Sequence, residues 1–133
     1  MTFIFDTGSS WLWVPSDTCP KSQCPGTTFH FGSSSSYTPT TVSEKITYGK
    51  GQVQGYIVSD SVSLTDSIAL MARNSKFLSI YTASDISSVR SDGLLGLSPQ
   101  FMSNGDGELL ISSLRRNGVI PRQMFTMQFK STS

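Results

Sequence analysis

The stretch Ile4-Phe5-Asp6-Thr7-Gly8-Ser9-Ser10-Trp11-Leu12-Trp13-Val14-Pro15-Ser16 decides how this chain is read. Thr2 to Asp6 and Trp11 to Val14 are rich in β-branched and aromatic residues, which suit a pleated, half-buried surface. Between them, Asp6-Thr7-Gly8-Ser9-Ser10 supplies the small and polar side chains of a tight turn. The pattern predicts strand, turn and strand, with a carboxylate at the turn and large apolar residues on either side.

Beyond this unit, Pro15 to Thr41 shifts to Ser, Thr, Pro and Gly, including Ser33 to Ser36, and reads as loop with few ordered elements. Glu44 to Tyr48 and Gln52 to Leu64 are two extended segments joined by Gly49-Lys50-Gly51, a composition that permits a tight hairpin. Two further strands are expected over Ile68 to Ala72 and Phe77 to Tyr81, ahead of the glycine-bracketed Ser91-Asp92-Gly93-Leu94-Leu95-Gly96-Leu97. Glu108 to Asn117 is predicted as a helix capped by Asp106, with Leu110, Ile111 and Leu114 on one face, Arg115 and Arg116 near its carboxyl end, and Gly118 and Pro121 as terminators. Phe125, Met127 and Phe129 alternate with Thr126 and Gln128, so Met124 to Phe129 reads as a half-buried strand. There is no fixed-period repeat and no interdomain linker, and the expected fold class is mostly β.

Bulk properties narrow the function. The 133 residues, 37% of them hydrophobic, suffice for one domain with a core. Ten Lys and Arg against nine Asp and Glu leave a formal charge of +1 without a basic tract, so nucleic acid is not an expected partner. No apolar run reaches the roughly 20 residues that cross a bilayer, and residues 1–15 hold no basic region followed by an apolar one as in a signal peptide; no membrane segment is expected in this chain. Cys19 and Cys24 suit a local disulfide in an oxidising compartment, with a reduced pair in a surface loop as the alternative.

Elimination leaves the turn carboxylate. His30 is the only histidine, lies in the Ser-rich loop and has no G-x-S-x-G elbow to serve, which argues against a nucleophilic triad. One histidine beside a cysteine pair cannot fill a zinc site, so no metal is expected. The glycines at 49, 51 and 55 do not match G-x-G-x-x-G, because Gln54 stands where the third should be, and no nucleotide or other cofactor is expected. Hydrolysing a peptide with carboxylates requires two that share a proton, one activating water and the other donating to the carbonyl oxygen.

Ile4 to Ser10, continuing into Leu12-Trp13-Val14-Pro15-Ser16, resembles the first active-site motif of pepsin-like aspartic proteases. Cys19 and Cys24, Tyr48-Gly49-Lys50-Gly51 and Asp92 to Gly96 follow at intervals similar to that family's, and the resemblance extends from Phe3 to Phe129. It implies a β-barrel-like lobe with a flap hairpin and one short helix, residues 1–133 forming the amino-terminal lobe of a bilobed enzyme whose carboxy-terminal lobe is absent. Asp6 would be the first catalytic carboxylate. Thr7 would hydrogen-bond across the lobe boundary, Gly8 would leave room for substrate, and Ser9 would bond to Asp6. Tyr48 would be the flap tyrosine, bonded to the Trp13 indole above bound peptide, with Gly49, Lys50 and Gly51 as its tip. Leu94 would line the pocket for the residue preceding the cut, and Leu95-Gly96 would pack behind the aspartate. A protein or peptide substrate, the missing lobe as partner, and a secreted, lysosomal or vacuolar setting complete the implication.

Three positions depart from the family pattern. Lys50 places a cation at the flap tip, Trp11 replaces a small polar residue, and no second Asp-Thr-Gly or Asp-Ser-Gly follows Asp6. Two function classes therefore stand: part of a bilobed acid protease, inactive alone, and a non-catalytic pepsin-fold binding or inhibitor protein. A homodimer pairing two Asp6 residues is a third arrangement.

Overall fold

A computed structural model describes residues 1–86, 89–99 and 107–130. Strands β1 (Phe3–Asp6), β2 (Leu12–Pro15), β3 (Ser43–Tyr48), β4 (Gly51–Ser63), β5 (Met71–Ser84) and β6 (Gly93–Gly96) form a six-stranded sheet in the order β1-β6-β2-β5-β4-β3. The helix α1 (Leu110–Arg116) packs against β5. The mostly β, pepsin-like lobe expected from the sequence is what the chain forms. No helix among the described residues is long and apolar enough to cross a membrane.

The sheet order separates β1 from β2, although only a turn divides them in sequence, because β6 lies between them. It runs parallel to β1, with Gly93 opposite Phe3 and Gly96 opposite Asp6, and antiparallel to β2, with Leu95 opposite Leu12. Gly96 is the tightest point of this insertion. A Cβ there would sit 2.4 Å from the Ser10 carbonyl carbon, 2.7 Å from the Ser9 oxygen and 2.7 Å from the Trp11 nitrogen. Only a residue without a side chain lets these backbones meet.

Strand alternation then sorts the core into two clusters. Trp11, Trp13, Val53, Ile57, Leu78, Ile80, Ala83 and Leu94 gather on one face with both cysteines. Leu12, Val14, Val58, Phe77 and Leu95 gather on the other, with Leu110 and Leu114 of α1 and with Phe31 from the long loop. Trp11, the unexpected residue beside the turn, is thereby placed in the first core at 3% exposure.

The strands expected over Ile68 to Ala72 and Phe77 to Tyr81 are instead one continuous β5, preceded by a 3-10 turn at Ile68–Leu70. Asn74, between the two expected strands, adopts φ 52° inside β5, a left-handed conformation that Asn tolerates better than most residues. The pairing shifts register between Asp60 and Val62 to absorb it. The amide of Asn117 secures the distortion, accepting from the Arg73 N–H at 3.0 Å and donating to the Arg73 carbonyl at 3.1 Å.

The helix is shorter at its start than expected. Leu109 occupies the N-cap without a side-chain bond, and the expected cap, Asp106, lies outside the described residues. Glu108 clamps the far end of the helix instead, accepting from Arg116 Nε at 3.0 Å and from Nη2 at 2.9 Å. Gly118, at φ 71°, ends α1 as anticipated. Met124 to Phe129 is not a strand: it has no partner strand among the described residues, and Phe129 is 89% exposed. Apolar alternation alone cannot make a strand without an edge that supplies hydrogen bonds.

The loop from Ser16 to Val42 is tied down locally. A Cys19–Cys24 disulfide closes a turn in which the Cys24 amide donates to the Pro20 carbonyl at 2.8 Å. Gln23 Oε1 accepts from Thr82 Oγ1 and the Ala83 amide of β5 at 2.8 and 3.1 Å. Farther along, Asp92 joins three segments: Oδ2 accepts from the Thr2 amide at 2.6 Å, and Oδ1 accepts from the Thr27 amide at 2.7 Å. These amide bonds, Thr2 first, hold the Asp92 carboxyl below its ordinary range.

Two outcomes follow from these contacts. Gly96→Ala should lower the denaturant midpoint by an amount equivalent to about 1–3 kcal/mol, since backbone atoms and not a yielding side chain occupy the space. The depressed Asp92 pKa contributes stability that is present above the unfolded carboxyl value and is lost as pH falls through the folded one. Asp92→Ala should therefore be less stable than the parent near neutrality, and the two should converge in strong acid, as thermal unfolding over a pH series would show.

Candidate active site

Asp6 ends β1, and its backbone carbonyl accepts from the Leu97 amide at 2.7 Å. The chain then reverses through Thr7 and Gly8, both exposed, and the Gly8 amide donates to Asp6 Oδ1 at 2.9 Å. That bond fixes the half-buried carboxylate against its own turn. A Cβ on Gly8 would lie 3.2 Å from the same oxygen, so glycine keeps the approach open. On the far side of the turn, the Ser98 amide donates to the Ser9 carbonyl at 3.0 Å, and the Gly96 amide to the Trp11 carbonyl at 2.9 Å. Residues 96–98 thus hold both arms of the turn.

Ser9 departs from its expected role. Its hydroxyl is buried and has no hydrogen-bond partner, so the anticipated bond to Asp6 is not made. The Gly8 amide takes Asp6 Oδ1, while Ser9 lies close enough to the Tyr48 hydroxyl to favour its ionised form without completing a bond of normal geometry.

Tyr48 closes β3 at the hairpin turn, where Gly49 and Lys50 are both exposed. Its hydroxyl accepts a 2.9 Å hydrogen bond from Trp13 Nε1, the contact the resemblance implied. Trp13 is 1% exposed, so its indole donor needs a partner inside the fold, and the phenol oxygen supplies it. Burial above all, with the Asp6 charge adding to it, pushes the Tyr48 pKa up to about 12, against the smaller lowering effect of the Trp13 bond. The hydroxyl is therefore within electrostatic reach of Asp6 and stays protonated at any working pH.

Leu94 stands opposite Trp13 in the β2–β6 pairing and is buried in the same cluster. Ile46 and Ile86, which the sequence reading did not single out, pack there beside Tyr48. Strand alternation could have found Ile46, two residues before Tyr48 on the same face; Ile86 sits in a loop with no periodic signal. The structure thus brings Asp6, Ser9, Trp13, Tyr48 and Leu94 to one face and leaves Lys50 at the exposed hairpin tip.

A family model for eukaryotic aspartyl proteases matches residues 1–133. This chain belongs to the eukaryotic aspartyl protease family. It is similar to plasmepsin IV of Plasmodium falciparum, 35% identical over 93% of this chain and 28% of the relative. Pepsin-3 of Oryctolagus cuniculus is 31% identical over 98% of this chain and 34% of the relative. Pregnancy-associated glycoprotein 6 of Ovis aries is 36% identical over 92% of this chain and 32% of the relative. The chain spans about a third of the length of these relatives.

The Trp13–Tyr48 bond sets a measurable expectation for this family member. Tyr48→Phe keeps the ring but leaves a buried indole N–H unpaired, which should cost about 1–3 kcal/mol in unfolding free energy. Because burial favours the neutral phenol, its contribution to stability is complete below the unfolded tyrosine pKa and disappears as pH rises through about 12. In alkaline titration of phenolate absorbance, the tyrosine ionising at about 12 in the parent should be missing from Tyr48→Phe, while Tyr37, also raised by burial, remains in both.

Proposed function

We propose that the chain is the amino-terminal lobe of an aspartic endopeptidase and that Asp6 is one of its two catalytic carboxylates. The Gly8-supported carboxylate of Asp6, beneath a tyrosine whose oxygen is bonded to Trp13, carries this reading. In the reaction, Asp6 and an aspartate from a second lobe would share one proton. One would take a proton from the attacking water while the other protonates the carbonyl oxygen, giving a tetrahedral diol that then collapses with transfer of a proton to the leaving amine. Tyr48, with Gly49 and Lys50, would close over an extended peptide and exclude water. Trp13 and Leu94 would offer apolar walls to side chains beside the cut, Thr7 would bond to the other lobe, and Ser9 would support the aspartate once substrate rearranges the site. Retention of Asp6, Ser9 and Tyr48 together favours this over a binding or inhibitor protein. The disulfide suits synthesis in an oxidising compartment and use in a secreted, lysosomal or vacuolar one.

One carboxylate cannot activate water and donate to the carbonyl in the same step, so the isolated chain should show no peptidase turnover in acid. Joined to a lobe carrying a second Asp-Thr-Gly or Asp-Ser-Gly, it should cleave between apolar residues with a bell-shaped pH profile, because the dyad must hold a single proton. A statine-type mimic should inhibit it, and Asp6→Asn should abolish turnover. Turnover by the joined protein that survives Asp6→Asn would overturn the assignment.

A further inference from the structure

The hairpin that carries Tyr48 is held at its base and open at its tip. Tyr48 pairs with Gly51 across it, and a Cβ on Gly51 would lie 2.7 Å from the carbonyl oxygens of both Ser84 and Asp85, so the base is pressed against the end of β5. At the tip, a Cβ on Gly49 would meet nothing within 4 Å. Lys50 stands between these glycines and is exposed. Its side chain is therefore the one that the Gly49-Lys50 turn presents to anything beneath it.

The cation has no partner in the described fold. Among the described residues, His30 pairs with Asp17 and Arg116 with Glu108, and Lys50 enters neither pair. Asp85, exposed just past β5, packs its backbone on Gly51 but forms no ion pair with Lys50. Two residues before Lys50, Tyr48 is bonded to Trp13 on the face that holds Asp6, which sets the tip at the rim of that site. The side chains packed around Tyr48 there, Trp13, Leu94 and Ile46, are apolar and sort a ligand by shape. Selection by charge at the rim falls to Lys50.

We propose that Lys50 is a specificity-determining residue, favouring peptides that carry an acidic side chain within two positions of the bond to be cut. This rests on the aspartic endopeptidase reading and names its substrate class. An extended peptide with its reacting carbonyl at Asp6 has to pass beneath the hairpin tip, where it meets a flexible ammonium donor flanked by bare backbone. A carboxylate at that point gains a charge-assisted hydrogen bond, and a cation there is repelled. The preference carries a pH signature. A peptide glutamate ionises at about pH 4.3 and lysine is a cation throughout the acid range, so the attraction is present above that value and is lost as pH falls through it.

This chain joined to a second lobe, as above, tests the inference with peptides sharing one apolar pair at the cut, in which glutamate or glutamine is placed in turn at each of the two positions on either side. At about pH 5.5 one or more glutamate peptides should exceed the glutamine twin in kcat/KM by about two- to fivefold, the worth of an exposed ion pair, and the ratio should approach unity at about pH 3. Lys50→Arg should keep the ratio, and Lys50→Gln should bring it to unity at both pH values. The readout compares two peptides on the same enzyme, so a general change in activity leaves it intact. Turnover that Asp6→Asn abolishes but that ignores glutamate at every position, or a preference that survives in Lys50→Gln, overturns this inference alone. Absence of turnover, or turnover that survives Asp6→Asn, overturns the protease reading and this inference with it.

Discussion

Everything in the site hangs on β6 passing between the two strands that the Asp6 turn connects. The turn is short, and the strands it joins would otherwise pair with each other. Instead each pairs with β6, and the turn is spread across the intruding strand while the amides of Gly96, Leu97 and Ser98 bond to the carbonyls of Trp11, Asp6 and Ser9. Such backbone bonds are individually modest, but here they are set in a core where any unpaired amide would be costly. The carboxylate orientation is therefore a consequence of main-chain geometry, and Gly8 completes it with one further bond.

The same insertion gives the sheet two unlike faces. Trp11, Trp13 and Leu94 are carried toward the hairpin, where Tyr48 meets the Trp13 indole; Leu12, Val14 and Leu95 are carried toward α1. A shift of one residue in the register of β2 would exchange the two sets and place an aliphatic residue where the indole donor is needed. The placement of Asp6, Trp13 and Tyr48 on one face thus depends on the packing of the other.

Much of this was readable from residues in order. The Asp6 turn, the hairpin around Gly49 and Lys50 and the Gly118 helix end rest on local signals, turn composition, alternation and a residue that accepts positive φ, whereas the Tyr48–Trp13 contact was implied by the family resemblance. Failures came where a distant partner decides. Two strands were expected where β5 runs unbroken, because Asn117 and a register shift hold the residues around Asn74 within it. Met124 to Phe129 alternates as a strand does, but no edge accepts it among the described residues. The Ser9 hydroxyl, expected on Asp6, lies buried beside the Tyr48 phenol of the distant hairpin and makes no hydrogen bond of normal geometry.

By itself the sequence determined the family, the mostly β class, the carboxylate at the first turn, and the closeness of Cys19 to Cys24, because each is expressed within a few consecutive residues. Tertiary structure alone decided which strand separates β1 from β2, why residue 96 must be glycine, and where the Ser34 to Ser36 hydroxyls go. Those outcomes depend on backbones and side chains that are tens of residues apart and meet only when the sheet closes. The burial of Asp60, whose Oδ1 accepts from Ser34 and Ser36, is of the same kind: no local pattern near Asp60 marks it, since both serines lie more than twenty residues earlier in the chain.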